Sequence, residues 1–136
     1  MRFLAIDLGD RRTGLACADD VLRIPAPIEV IEASTHELLL QSLARAIDSY
    51  APDALVIGLP LNMDGSEGPR AKMTRHFAVR CEERFRLPVH FQDERLTSHA
   101  AEASLNRSGR THAQKRRIRD ALAACELLKD FLAQRG

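Results

Sequence analysis

Tryptophan is absent from the chain and Tyr50 is its single tyrosine. A platform on which unpaired bases stack is therefore not expected, and any nucleic acid bound should be read through its backbone and shape. Cys17, Cys81 and Cys125 are odd in number and lack C-x-x-C spacing. That excludes a disulfide framework and a structural zinc site, and predicts reduced, mostly buried thiols. The five histidines, His36, His76, His90, His99 and His112, show no H-x-x-x-H spacing, so none is expected to hold a metal. No apolar run approaches the roughly 18 residues of a membrane span. The N-terminal run Phe3-Leu4-Ala5-Ile6 stops at Asp7 before it could serve as a signal sequence. A cytoplasmic protein with no membrane partner is expected. Its 136 residues suit one domain over 1–136 and are too few for two lobes that clamp a nucleotide.

Charge is balanced only on average. The chain carries 20 Lys and Arg against 19 Asp and Glu, yet residues 103–119 hold Arg107, Arg110, Lys115, Arg116, Arg117 and Arg119 with no acid, leaving 14 cations against those 19 acids elsewhere. A basic arm on an acidic body suits a polyanion held at one place. Most of the cations are arginine, whose planar fork meets phosphate oxygens at two points. The plainer alternative is a solvated loop and helix start.

Apolar patterning predicts strands over 2–8 and 13–18, joined by the charged turn Gly9-Asp10-Arg11-Arg12, and a third over 28–31. Ser34 and Glu37 have capping-box spacing ahead of a helix that should end before Pro52. Ala54–Leu59, bounded by Pro52 and Pro60, reads as a strand buried on both faces. A helix from about Pro69 to Phe85 and a strand over 87–92 follow. Thr97 or Ser98 should cap a short helix through Leu105, and Thr111 with Gln114 should cap a last one reaching about Ala133. This order predicts an α/β fold with a mixed five-stranded sheet flanked by helices.

Acidic residues stand where such a fold would gather them, beyond the carboxyl ends of central strands. Asp7 ends the first strand, Asp93 and Glu94 end the fifth, and Asp120 lies in the last helix. At about 100° per residue, Asp120 shares a side with Ala124, Leu127 and Phe131, opposite an arc holding Arg119, Glu126 and Asp130. Leu122 and Cys125 are expected on the buried face too. Asp93 and Glu94 point opposite ways because strand side chains alternate, and alternation alone leaves open which of them joins Asp7. Carboxylates without cysteine or histidine suit a hard cation such as Mg²⁺.

Four ordered motifs, Ala5-Ile6-Asp7-Leu8-Gly9 with Gly14, Val56-Ile57-Gly58-Leu59-Pro60-Leu61-Asn62-Met63-Asp64-Gly65, Asp93-Glu94-Arg95-Leu96-Thr97-Ser98 and Asp120-Ala121-Leu122-Ala123-Ala124, resemble the YqgF family. The resemblance implies a ribonuclease-H-like fold and a hydrolase, a metal-dependent endonuclease that matures the 5′ end of pre-16S ribosomal RNA or resolves Holliday junctions in branched DNA. It implies Asp7, Glu94 and Asp120 as catalytic acids holding Mg²⁺ or Mn²⁺, with the Gly58–Gly65 loop bordering the site. Resolvases of the wider superfamily often add a fourth acid one helical turn after the third, where Ala123 stands here.

The implied mechanism is in-line attack of a metal-activated water, with Asp7 bridging two cations and Glu94 and Asp120 holding one each. Arg11, Arg12, Arg107, Arg110, Lys115, Arg116 and Arg117 are the expected phosphate contacts. The partner would be structured nucleic acid, precursor ribosomal RNA or branched DNA, and the protein a monomer or homodimer. Two rivals remain. One is a kinase-like nucleotide binder, since Asp7-Leu8-Gly9 with Gly14 also resembles a phosphate loop. The other is a non-catalytic RNA-binding assembly factor.

Overall fold

Strand β1 (Arg2–Asp7) lies at the centre of one five-stranded sheet, and its alternation sorts the whole core. The computed structural model describes residues 1–95 and 112–135. After β1 come β2 (Arg12–Asp19), β3 (Ala26–Glu32), α1 (His36–Tyr50), β4 (Ala54–Leu59), α2 (Pro69–Phe85), β5 (Val89–Asp93) and α3 (His112–Arg135). The sheet order is β3-β2-β1-β4-β5. β1–β2 and β2–β3 pair antiparallel, whereas β1–β4 and β4–β5 pair parallel, with α1 and α2 in the connections.

Leu4 and Ile6 of β1, with Leu55 and Ile57 of β4, pack against Leu39, Leu40 and Leu43 of α1 and Phe77 and Cys81 of α2. Phe3 and Ala5, with Ala54 and Val56, face the other way onto Ala124, Leu127, Leu128, Phe131 and Leu132 of α3. Because period-two alternation serves two covered faces, every residue of β4 is buried. The α3 side is lined by small residues, Ala5, Ala16, Ala18 and Ala54, and small side chains let a helix lie close to a sheet.

The predicted strands and the helix over Pro69–Phe85 are present, with ends shifted by at most two residues. Three local expectations change. Thr35, not Ser34, caps α1, its hydroxyl accepting from the Leu38 amide at 3.2 Å, because Glu37 bonds Arg80 and Arg84 of α2 instead of turning back on the cap. Leu122 is half-buried and outside the α3 core stripe, which runs through Leu127, Leu128 and Leu132, and Cys125 is partly buried against it. Cys17 is also half-buried, leaving Cys81 as the one buried thiol among the described residues, its pKa pushed up to about 12 by burial. The expected short helix after Thr97 and the Thr111 cap fall outside the described residues. No helix among the described residues is long and apolar enough to cross a membrane.

Candidate active site

Asp7 continues the Phe3 and Ala5 row of β1, so its side chain lies on the α3 face. Its antiparallel neighbour on β2 is Gly14. The β1–β4 register, Ile6 beside Ile57, carried one residue further sets Gly58 on its other side. Asp7 is thus flanked by two glycines, one leaving room for the backbone of α3 and the other for a carboxyl. A Cβ on Gly14 would lie 2.0 Å from the Asp120 carbonyl oxygen, and one on Gly58 would lie 2.0 Å from Oε1 of Glu94. The bare backbone of β2 admits the start of α3, and that of β4 admits the Glu94 carboxyl.

β5 resolves the choice between Asp93 and Glu94. The His90 ring meets Phe3 and Phe131 on the α3 face, whereas Phe91 receives the Arg75 guanidinium of α2 on the opposite face. Alternation then sends position 94 toward Asp7 and position 93 away. The Glu94 amide still donates to the Leu59 carbonyl at 3.2 Å, which holds the residue against the end of β4. Asp93 accepts from the Arg95 amide at 2.9 Å and from its Nε at 2.8 Å, and Arg95 also donates to the Met63 carbonyl at 3.1 Å. That clamp ties the 61–66 loop to the strand end.

Glu94 is pushed up to about 9, first by burial, then by its hydrogen bond with Asp7 and the Asp7 charge, with Arg70 pulling weakly the other way. Two carboxyls can share a hydrogen bond only if the pair holds a proton, and burial beside a second acid is what favours keeping one there. Asp120 is raised by burial and held back by Arg12, whose Nε donates to its Oδ2 at 2.9 Å. The expected cluster of three acids is therefore met as a pair plus one, and among the described residues no three acid, histidine or cysteine side chains form a ready cation cage. The reason is electrostatic: like charges this close need compensation, here a proton on the pair and a guanidinium on the third. The oxygen-only donors still fit a hard divalent cation, which could replace both.

Of the expected phosphate contacts, Arg12 is engaged by Asp120, and Arg117 bridges to Glu32 at 3.2 Å between exposed side chains. Exposed Arg11 lines a groove of about 590 Å³ with Arg12, Glu32, Ala33, Ser34 and Leu38. Lys115 is half-buried on the first turns of α3. Arg107, Arg110 and the side chain of Arg116 lie outside the described residues. Sequence reasoning missed Gly58 as the residue that makes space for Glu94. Its signal was a lone glycine inside an apolar strand, a common mark of close approach.

A family model described as RuvX, Holliday junction resolvase, matches residues 1–134. The chain belongs to the RuvX family. A relative from Anaeromyxobacter sp. strain Fw109-5, named "Putative pre-16S rRNA nuclease", is 42% identical over 132 residues, covering 97% of this chain and 96% of its own. One from Chromobacterium violaceum with the same name is 37% identical over 134 residues, covering 98% of each. Among solved structures, Thermus thermophilus RuvC in complex with a Holliday junction substrate superposes with a TM-score of 0.59 at 13% identity, over 99% of this chain and 95% of that one. The fowlpox virus resolvase with Holliday junction DNA gives 0.61 at 12% identity, over 98% of each. At such identities the likeness is one of fold, and the RuvX chain has the ribonuclease-H-like fold of these resolvases.

Proposed function

We propose that this nuclease of the RuvX family uses Asp7, Glu94 and Asp120 to hold Mg²⁺ or Mn²⁺, and that it cleaves precursor 16S ribosomal RNA in the cytoplasm as part of 5′-end maturation. The observation that carries this reading is the hydrogen-bonded Asp7–Glu94 pair, half-buried where Gly58 leaves room for the Glu94 carboxyl and Gly14 leaves room for the α3 backbone at Asp120. A pair of carboxyls that must hold a proton when alone is suited to exchange it for a cation. When bound, divalent cations supply Lewis acidity at the phosphate and a water acidified enough to attack. The chain's own residues do the rest. Asp7 and Glu94 would release their shared proton to solvent as they take the cation, Asp120 would join them once its bond to Arg12 is broken, and Arg11 with the start of α3 would hold phosphates flanking the cut. The relatives' name favours RNA as the substrate.

Branched DNA is the second reading. It is favoured by the two similar folds whose structures hold Holliday junctions. Cleavage of a precursor ribosomal RNA and of a four-way DNA junction, compared side by side with Mg²⁺, with Mn²⁺ and with neither, decides between them. RNA cut at its 5′ side only with a cation supports the first reading, and junction cleavage alone supports the second. Asp7→Asn should abolish cleavage of either while leaving binding nearly intact. Undiminished turnover by that variant would remove the proposed site, and binding with no cleavage by the wild type would indicate an assembly factor.

A further inference from the structure

Arg12 stands between two places that a nuclease needs. Its Nε donates to Asp120 Oδ2 at 2.9 Å, bridging residues 108 positions apart. The two side chains are 35% and 25% exposed, so neither is locked away from an incoming ligand. The same arginine lines the groove that Arg11 and Ser34 border. A guanidinium offers its donors as a planar fork, and a phosphate competes for that fork with the same geometry as a carboxylate. While Arg12 compensates Asp120, the third acid is a poorer cation ligand. Once Arg12 turns to a phosphate, Asp120 loses its hydrogen-bonded guanidinium and keeps only the weaker attraction of Arg119, leaving more of its negative charge available beside the Asp7–Glu94 pair.

We propose that Arg12 is a positioning residue that couples the two ligands of the site: a backbone phosphate in the groove draws Arg12 off Asp120, so nucleic acid and divalent cation bind with positive cooperativity. This rests on the reading of Asp7, Glu94 and Asp120 as the cation-holding acids. Linkage makes the effect reciprocal, the cation raising nucleic-acid affinity by the factor by which nucleic acid raises cation affinity. The protein would thus hold its cations tightly only when a substrate backbone is present.

The test is Mn²⁺ binding to the full chain, followed by electron paramagnetic resonance with and without a short RNA duplex. Titration of the RNA alone is subtracted and strand integrity is checked on the same samples. The wild type should bind Mn²⁺ at least about fivefold more tightly with RNA, the lower end of usual coupling between sites. Arg12→Gln should bind Mn²⁺ more tightly than the wild type in the absence of RNA and lose most of the response to it. Arg12→Lys, which keeps the charge but not the fork, should show an intermediate response. Wild-type affinity indifferent to RNA would overturn the proposal, as would weaker Mn²⁺ binding by Arg12→Gln. Asp7→Asn tests the underlying reading separately: if it binds Mn²⁺ like the wild type, the cation site itself is misassigned.

Discussion

Gly58 and Glu94 occupy one space: a Cβ added to the glycine would sit 2.0 Å from Oε1 of the glutamate and 2.6 Å from its Cγ. No relaxation short of moving the carboxyl away from Asp7 accommodates that atom. Gly58→Ala should therefore lower cleavage at least about tenfold, a loss equivalent to roughly 1.4 kcal/mol of transition-state stabilisation, while circular dichroism shows an intact fold. Gly65→Ala, in the loop that follows β4, is the control, since its Cβ would meet nothing closer than Arg95 at 3.8 Å, although its positive φ of 87° makes some strain expected. Equal activity of Gly58→Ala and the wild type would mean that Glu94 need not stay where it lies.

Metal-free stability should depend on pH through the same glutamate. Glu94 is raised from 4.5 to about 9 by burial and by Asp7, so the folded state binds the proton more tightly than the unfolded chain. The sign follows: this contribution is fully present below about 4.5 and is lost progressively as pH rises toward about 9. Added Mg²⁺ replaces the proton, so its stabilising effect should grow across that window. Thermal melts near pH 6 and pH 8.5, each with and without Mg²⁺, check this. A Mg²⁺ shift of the same size at both would contradict it.

Packing and chemistry meet on α3. Leu128 is fully buried in the core that α3 forms with β1 and β4, and Leu128→Ala should cost about 2–5 kcal/mol. Leu122→Ala, at a half-buried position, should cost less. Because the same helix carries Asp120, Leu128→Ala should reduce cleavage more than nucleic-acid affinity at temperatures where the domain is still folded. Denaturant unfolding and cleavage rates measured on both variants test the order, and a larger loss for Leu122→Ala would reverse the assignment of the helix face.

Phosphate contacts should appear as salt dependence. Arg11→Ala and Arg117→Ala should each weaken binding across unrelated sequences and reduce the log–log salt slope by roughly 0.9 on duplex DNA or about 0.7 on single strands. Fluorescence anisotropy over a salt series measures it. An unchanged slope for Arg117→Ala would make that residue a surface partner of Glu32 and nothing more.

Local chemistry was legible in the chain because it acts over a few residues. Pro52 and Pro60 bound β4, the helical spacing of Leu39, Leu40, Leu43 and Ile47 marks α1, and the oxygen-only set of acids speaks for a hard cation before any fold is known. Alternation declares that Asp93 and Glu94 face apart, yet only the edge-on and tilted contacts of His90 with Phe3 and Phe131 tell which faces α3. Helical phase puts Leu122 near the apolar stripe. However, the Asp120 end of α3 lies over Gly14 and the polar end of the sheet, while the alanines and Phe3 receive the later turns. Ser34 and Glu37 satisfy a capping pattern that Arg80 and Arg84, 43 and 47 positions from Glu37, dissolve. Arg12 looked like a free phosphate contact until the fold brought Asp120 to 2.9 Å from it. In each case a short-range preference set the candidates, and a partner distant in sequence chose among them, because burial and charge compensation are properties of the assembled core.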